Sequence, residues 1–388
     1  MPSVLEIAKK LNKDYGDKNL AILANTNPSY ERLASGAMGY DFPMYGGDTL
    51  GRIVVHTGME HSGKTTAALV KMAAFQRKYP EKVCVFIDVE HALDMDFIAE
   101  MTGIDWTKVI YVNPTMMNGN QILGIAEEFI LAEDMGMMII DSIAALVSSS
   151  DFEGNMEKDN GMRSSMAKPL NMFLKKVMGP ISKNRSILLL INQTRIAGVM
   201  PNGAIKYGEL CGKAVAFYTT TNIRFATRTF TDGDIVDKRE GEKADGFRLQ
   251  FSVLKNKTAR VDRGGGFMTF RYDSGLDFAY DLIEVALNFN LIPKEGNTFT
   301  LTDLLTGKPY DLGTDEVGRP IKLVGKGKVR DYIKNNPTFA KTYIEMLTKH
   351  ISNGDKKYGK LLDERDLGVT EEMIAEANST EDPNAESN

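Results

Sequence analysis

The sequence predicts an α/β fold built on a mostly parallel central sheet, with a small N-terminal helical extension and a small α+β domain toward the C-terminus. Three observations carry this reading. Apolar runs of strand length at 51–57, 83–89, 109–113, 137–141 and 186–192 alternate with helical patterns at 65–78, 92–102, 120–134 and 164–178. Uninterrupted apolar strands between helices are what a parallel sheet covered on both faces requires. From about residue 214 the strands alternate more between apolar and polar, at 214–228, 246–254 and 267–273, which predicts an antiparallel extension of the same sheet. Third, the junction between the first core strand and its helix reads Gly58-Met59-Glu60-His61-Ser62-Gly63-Lys64-Thr65-Thr66, a full match to the phosphate-loop pattern G-x-x-x-x-G-K-[ST].

The elements follow in chain order. Residues 3–13 carry apolar side chains at 4, 7, 8 and 11, a helical stripe, and Ser3 with Glu6 forms a capping-box signature. An isolated helix this short is marginal in water, so it needs a surface to dock on. Residues 24–50, rich in Gly, Asn, Pro and Tyr, read as loops with a short helix. After the core strands, residues 278–290 form a helix, a mixed segment follows, and 326–352 is helix-rich. The domain reading is a docking helix in 1–30, a nucleotide-binding core in 31–276, a C-terminal domain in 277–352 and an acidic, unstructured tail in 353–388.

Composition narrows the class. With 388 residues, 43% hydrophobic and 26% charged, the chain matches ordinary globular proteins and can bury a substantial core. No run of about 18 apolar residues occurs, so no membrane helix is expected. The first residues lack a basic segment followed by a long apolar one, so no secretory signal is expected. Cys84 and Cys211 offer neither metal-ligand spacing nor a disulfide framework, which suits a cytoplasmic protein. The net charge of −5 is uneven: residues 363–388 hold nine acidic side chains and one basic one. Such a tail is either simply solvated or competes with nucleic acid for a basic surface. The basic run 322–330, followed by Tyr332 and Lys334, is likewise either a solvated face or a secondary nucleic-acid contact.

The phosphate loop organises the candidate chemistry. Gly58 and Gly63 permit backbone torsions that turn consecutive N–H groups onto a phosphate, and the following helix adds its positive end. Lys64 reaches the outer phosphates and the Thr65 hydroxyl ligates Mg²⁺. Met137-Met138-Ile139-Ile140-Asp141 is an apolar strand ending in an acid that can hold the Mg²⁺ shell. Glu90, after the strand 83–89, is the candidate that orients or deprotonates water; a plain surface acid is the alternative. Gln193 ends the next strand with an amide placed to sense the γ-phosphate. The stretch Ile196 to Lys213 reads as a long glycine-rich basic loop, and a polar loop follows the Asp141 strand, so two loops at about 148–165 and 195–213 rim the strand ends.

Taken together, these segments resemble the bacterial RecA recombinase family. The phosphate loop alone is shared by many ATPases. Phe86-Ile87-Asp88-Val89-Glu90-His91-Ala92-Leu93-Asp94, Ile140-Asp141-Ser142-Ile143-Ala144-Ala145-Leu146, Ile191-Asn192-Gln193-Thr194-Arg195, Gly198-Val199-Met200, Lys213-Ala214-Val215-Ala216-Phe217-Tyr218 and Lys255-Asn256-Lys257 resemble stretches particular to the family, in its order and spacing. The resemblance covers roughly 5–350 and is densest at 51–272.

It implies a phosphate-loop NTPase core of RecA type and a cytoplasmic DNA-dependent ATPase of recombination, DNA repair and the SOS response. Such a protein self-assembles into a helical filament on single-stranded DNA and exchanges strands with homologous duplex, using ATP and Mg²⁺. Single-strand-binding or mediator proteins are further expected partners. Carried over, residues 58–66 bind the phosphates, Thr65 and Asp141 serve Mg²⁺, Glu90 activates water and Gln193 couples the γ-phosphate to DNA. Asp94, Phe97 and Tyr272 contact adenine, with Phe97 where the family usually has Tyr. Lys255 and Lys257 reach the ATP of the neighbouring subunit, and helix 3–13 docks on that neighbour. The two loops bind DNA through Arg163, Arg195, Val199, Met200, Lys206, Tyr207 and Lys213. The chain departs from the family at Pro201, where an aromatic wedge is common, and at Cys211, where a glycine is usual; 300–324 is longer than usual. These differences mark a divergent member, compatible with a bacteriophage source. The alternatives are a related hexameric helicase or motor, and a non-catalytic regulatory relative.

Overall fold

The computed structural model describes residues 2–16, 20–21, 30–153, 166–199, 205–209, 212–231, 236–237, 245–289, 291–303, 306–314 and 317–352. The chain divides into two compact units, Met1–Glu31 and Arg32–Asn388. In the first, α1 (Val4–Asp14) has the predicted capping box: Glu6 N donates to Ser3 Oγ at 3.2 Å and Ser3 N donates to the Glu6 carboxylate at 2.7 Å. Its Val4, Leu5, Ile7 and Leu11 are all exposed within this unit.

The second unit opens with β1 (Arg32–Leu33), α2 (Met38–Asp41) and β2 (Asp48–Thr49). The α/β series is β3 (Arg52–Gly58), α3 (Lys64–Lys78), β4 (Val83–Asp88), α4 (Met95–Thr102), β5 (Val109–Val112), α5 (Gly119–Leu131), β6 (Met135–Asp141), α6 (Ser149–Glu153), α7 (Ala167–Asn184) and β7 (Ile187–Val199). Then come β8 (Ile205–Glu209), α8 (Gly212–Tyr218), β9 (Thr221–Thr231), β10 (Val236–Asp237), β11 (Gly246–Asn256), β12 (Gly265–Arg271) and β13 (Gly275–Leu276). The C-terminal part holds α9 (Phe278–Asn288), β14 (Lys294–Glu295), β15 (Thr298–Phe299), β16 (Leu323–Val324), α10 (Lys326–Asn335) and α11 (Pro337–Ser352).

The central sheet runs β13-β12-β11-β9-β3-β7-β6-β4-β5, with β8 attached to β7 and β10 to β9. Every pair from β9 to β5 along this path is parallel, and β9-β11-β12-β13 is antiparallel. Consecutive strand residues serve opposite faces, as the pleat dictates. Val55, Val85, Ile140 and Leu190 pack under α5 and α7, while Val54, Phe86, Ile139 and Leu189 pack under α3 and α4. The continuous apolar runs are thus two interleaved faces, each covered. Cys84 is a buried core residue on the α3 side, and burial pushes its thiol up to about 12. The helices α9, α10 and α11 share one apolar cluster with Met38, Phe42 and Phe267.

Two expectations are corrected. The segment 214–228 is not one strand: α8 ends at Tyr218 and β9 begins at Thr221. Val215 packs in the cluster that α7 and α5 form, and that burial favours a helix over an extended run. Moreover β9 joins β3 in parallel, so the antiparallel part begins one strand later. Nor is 196–213 simply a loop. Strand β7 continues to Val199 and pairs antiparallel with β8, Arg195 opposite Gly208 and Val199 opposite Ile205. The register shifts between Ile196 and Gly198, where Gly198 adopts φ +130°, a torsion natural to glycine. Of the other expected loop, Ser149–Glu153 is helical and 154–165 lies outside the described residues. So does the expected tail at 353–388.

Candidate nucleotide site

Parallel register assembles the site. Gly58 stands beside Gln193 in the β3–β7 pair, and Asp88 stands beside Asp141 in the β4–β6 pair. Gly58, Asp88 and Asp141 end their strands and Gln193 is the last β7 residue paired with β3, so the four border the crevice that an open α/β sheet presents to its ligand. A cavity of about 600 Å³ opens there. Its walls include phosphate-loop residues 60–66 and Asp88, Glu90, Asp141 and Gln193.

The loop leads directly into α3. Gly63 caps this helix at φ +78°, and a β-carbon there would come within 2.2 Å of the Leu249 side chain, so both torsion and space require glycine. No side chain caps the first turn, which leaves its N–H groups directed toward the cavity mouth. Lys64 is buried, and its ammonium donates to the Met59 carbonyl at 2.5 Å and to Ser62 Oγ at 3.3 Å. Burial pulls Lys64 below its usual pKa, while Asp141, Glu90 and Glu60 oppose that shift. Thr65 Oγ1 donates to Asp141 Oδ2 at 2.6 Å. Burial pushes Asp141 up to about 7, reinforced by Glu90 and Asp88 and opposed by the Thr65 hydrogen bond and Lys64.

The turn after β4 is tightly specified. Asp88 accepts the Tyr111 hydroxyl at 2.7 Å and His91 N at 2.8 Å. Val89 N and Glu90 N both donate to the Asp141 carbonyl, at 2.7 and 3.3 Å. Glu90 is therefore presented from a fixed backbone, with its side chain exposed and accepting Gln193 Nε2 at 3.0 Å. Asp94 caps α4 by accepting Phe97 N at 3.1 Å. Phe97 and Tyr272 line the far wall at 46% and 49% exposure, enough open ring face for a planar group to stack on.

The RecA N-terminal domain family matches residues 3–276. The chain belongs to the RecA family. It is similar to Protein RecA of Rickettsia bellii (strain OSU 85-389), 30% identical over 351 residues, 89% of this chain and 91% of that protein. Protein RecA of Clostridioides difficile (strain 630) is 32% identical over 308 residues, covering 78% and 83% of the two chains. Protein RecA of Mycoplasma pneumoniae (strain ATCC 29342 / M129 / Subtype 1) is 32% identical over 305 residues, covering 76% and 85%. Identities near one third mark a divergent member, and the α/β sheet described above is the RecA-type phosphate-loop core.

Against that RecA-family frame, not every expected site residue meets in one place. Lys255 and Lys257 do not line the cavity of their own chain. Lys255 donates to the Ala216 carbonyl and Lys257 donates to the Phe217 carbonyl at 3.2 Å, both at the last turn of α8. Arg195 is exposed at the base of the β7–β8 hairpin. The backbone places Val199, Lys206 and Tyr207 on that hairpin and Lys213 in the first turn of α8, while Arg163 and Met200 lie outside the described residues. Sequence reasoning missed Phe247, Leu249 and Thr227, which complete the cavity wall. Phe247 and Leu249 share one face of β11, a period-two signal that was readable; that this face borders the phosphate loop was not. It also missed Tyr111, whose hydroxyl fixes Asp88.

Proposed function

We propose that this chain is an ATP-dependent DNA recombinase. It assembles as a helical filament on single-stranded DNA, pairs that strand with homologous duplex and hydrolyses ATP in a DNA-stimulated way. One observation carries the reading. Two hydrogen bonds cross the cavity, Thr65 to Asp141 and Gln193 to Glu90, and the second joins the candidate water-activating acid to the strand that becomes the β7–β8 hairpin.

The residues suit a magnesium-bound nucleoside triphosphate. A threonine hydroxyl beside a carboxylate is a hard oxygen donor pair of the kind Mg²⁺ prefers. Lys64 is a buried cation whose hydrogen bonds go to a neutral carbonyl and a hydroxyl, so phosphate oxygens offer it better partners. Bound Mg²⁺ neutralises charge developing on the phosphates. The chain does the rest. The uncapped first turn of α3 and Lys64 hold the phosphates. Phe97 and Tyr272 stack the base. Glu90 takes the proton of the attacking water. Gln193 senses whether the outer phosphate is present and shifts the hairpin carrying Arg195, Val199, Lys206 and Tyr207, which contacts DNA together with Arg163, Met200 and Lys213. Lys255 and Lys257, turned away from their own cavity, complete the site of the neighbouring subunit, and α1 docks on that neighbour.

An ATPase assay with and without single-stranded DNA, followed by three-strand exchange, tests the proposal. DNA-stimulated hydrolysis with joint-molecule formation is expected. Hydrolysis without joint molecules, on closed six-membered rings seen by electron microscopy, would replace it with a motor function.

A further inference from the structure

Below the phosphate loop lies a chain of buried polar groups that the recombinase reading does not use. Tyr40 at α2, Asp48 on β2, His56 on β3 and Lys71 on α3 are each at most 1% exposed. Lys71 Nζ pairs with Asp48 Oδ2 at 2.9 Å, donates to the Tyr40 hydroxyl and lies 2.6 Å from His56 Nε2. The Tyr40 hydroxyl in turn donates to Asp48 Oδ1 at 2.9 Å. At the other end, His56 Nδ1 lies 3.1 Å from the backbone carbonyl of Lys64, the phosphate-loop lysine.

Donor and acceptor rules orient the whole chain. An ammonium only donates, so His56 Nε2 accepts. The ring proton then sits on Nδ1, and Nδ1–H donates to the Lys64 carbonyl. Burial, with Lys71 alongside, holds His56 well below its usual pKa and so neutral. Lys71 has two hydrogen-bond acceptors, the Tyr40 hydroxyl and His56 Nε2, and the Asp48 carboxylate at 2.9 Å balances its charge. The Phe225 ring packs against His56 at 4.6 Å, fixing its plane. A buried ion pair is weak evidence for stability, because desolvation offsets much of its attraction and apolar side chains of similar size would serve the fold as well. What the arrangement provides is direction: it ends on one particular peptide of the nucleotide site.

We propose that His56, oriented by Lys71 and Asp48, is a positioning residue for the phosphate loop. Its Nδ1–H holds the Lys64 carbonyl and thereby the peptide from which the Lys64 ammonium and the first turn of α3 project. The inference rests on the nucleotide-site reading above.

Two substitutions in the full chain separate this role from a purely structural one. His56→Asn puts an amide N–H near Nδ1 and keeps a donor for the Lys64 carbonyl, but gives up the Lys71 contact. His56→Gln puts its amide near Nε2 and keeps an acceptor for Lys71, but loses the donor to Lys64. The measurements are the KM and kcat for ATP with single-stranded DNA, the affinity for a fluorescent ADP analogue, and the urea midpoint. His56→Gln is expected to weaken nucleotide binding and raise KM about fivefold, the ratio one hydrogen bond supports, while His56→Asn stays within about twofold. Equal KM values in the two variants, or KM changes that follow the urea midpoint, overturn the inference. Should a variant fail to fold, ¹⁵N shifts of the unaltered chain decide instead. A neutral Nδ1–H ring at His56 supports the role, and an Nε2–H or doubly protonated ring overturns it. An unaltered chain that binds no nucleotide overturns the site reading itself, and this inference with it.

Discussion

The side-chain amide of Gln193 donates to the carboxylate of Glu90 at 3.0 Å, linking β7 to the turn after β4 across the cavity. In the proposed mechanism this bond couples hydrolysis to DNA. Glu90→Gln is expected to lower turnover by about 10²- to 10⁴-fold, the range for loss of a general base, while nucleotide-dependent binding of single-stranded DNA persists. Gln193→Ala is expected to make DNA affinity the same with and without nucleotide. ATPase rates and DNA binding by fluorescence anisotropy check both, and unchanged turnover in Glu90→Gln would remove that residue from the role.

Asp141 sets a pH dependence. Its carboxyl is raised from 3.8 to about 7, chiefly by burial. Between those values the folded chain binds the extra proton, so Asp141 contributes stability at low pH that is lost as pH rises through about 7. Mg²⁺ requires the carboxylate, so binding releases this proton and Mg²⁺ affinity increases with pH through the same range. Titrating Mg²⁺ into the nucleotide complex at about pH 6 and about pH 8 measures this. A flat profile, or an Asp141→Asn variant with the same slope, would contradict it.

Lys255 rests on the last turn of α8 and away from its own cavity. If it serves a neighbour, two defective chains complement each other. Lys255→Ala and Glu90→Gln are each expected to lose DNA-stimulated hydrolysis, and an equal mixture to regain part of it. The restored sites pair a Lys255→Ala cavity with an intact Lys255 from the adjacent Glu90→Gln subunit. No recovery on mixing would place the lysines elsewhere in the mechanism.

Asp277 tests how the C-terminal helices are tied to the sheet. It is fully buried, accepts Tyr280 N at 3.1 Å as the cap of α9 and pairs with Arg271 on β12 at 2.6 Å. Arg330 and Lys334 of α10 approach it at 3.9 and 3.7 Å. Asp277→Ala leaves Arg271, 10% exposed at its side chain, without this partner and is expected to cost about 3–5 kcal/mol in urea unfolding. A loss under about 1 kcal/mol would mean the helices are held by their apolar cluster alone.

The tail at 363–388, with nine acidic residues and one basic, is proposed to compete with DNA for the chain's basic surface. Its deletion is expected to tighten duplex binding and to steepen the salt dependence of that binding, because DNA then displaces counterions and not the tail, whereas removal of a DNA contact flattens it. Unchanged duplex affinity would return the tail to plain solvation.

Much of this protein was legible in one dimension. A parallel strand covered on both faces is apolar throughout, so β3, β4, β6 and the first half of β7 announced themselves, and the edge strand β5, partly exposed, still showed as a short β-branched run; α3, α5 and α7 were legible between them. The phosphate loop was readable because its chemistry needs glycines and a lysine at fixed spacing along one turn. The helix Gly212–Tyr218 was not, because an apolar pentapeptide packs as helix or strand, and its contact with the cluster around α7 decided between them. The β7–β8 pairing escaped for a related reason: a glycine-rich basic stretch carries little periodicity, and a hairpin is defined by partners across the turn.

The sequence by itself determined the family, the order of strands and helices along the core, and the residue types the site would use. Each depends on local spacing, which one chain displays directly. Only the tertiary structure decided which of those residues meet. Sheet register set Gly58 beside Gln193 and Asp88 beside Asp141, while packing of α2, α3, α8 and β2 against the sheet gave Lys255 and Lys257 their partners on α8 and brought Tyr40, Asp48, His56 and Lys71 into one buried chain beneath Lys64. Buried polar groups are chosen by the partners that satisfy them, and those partners come from other elements, so no periodicity records the choice.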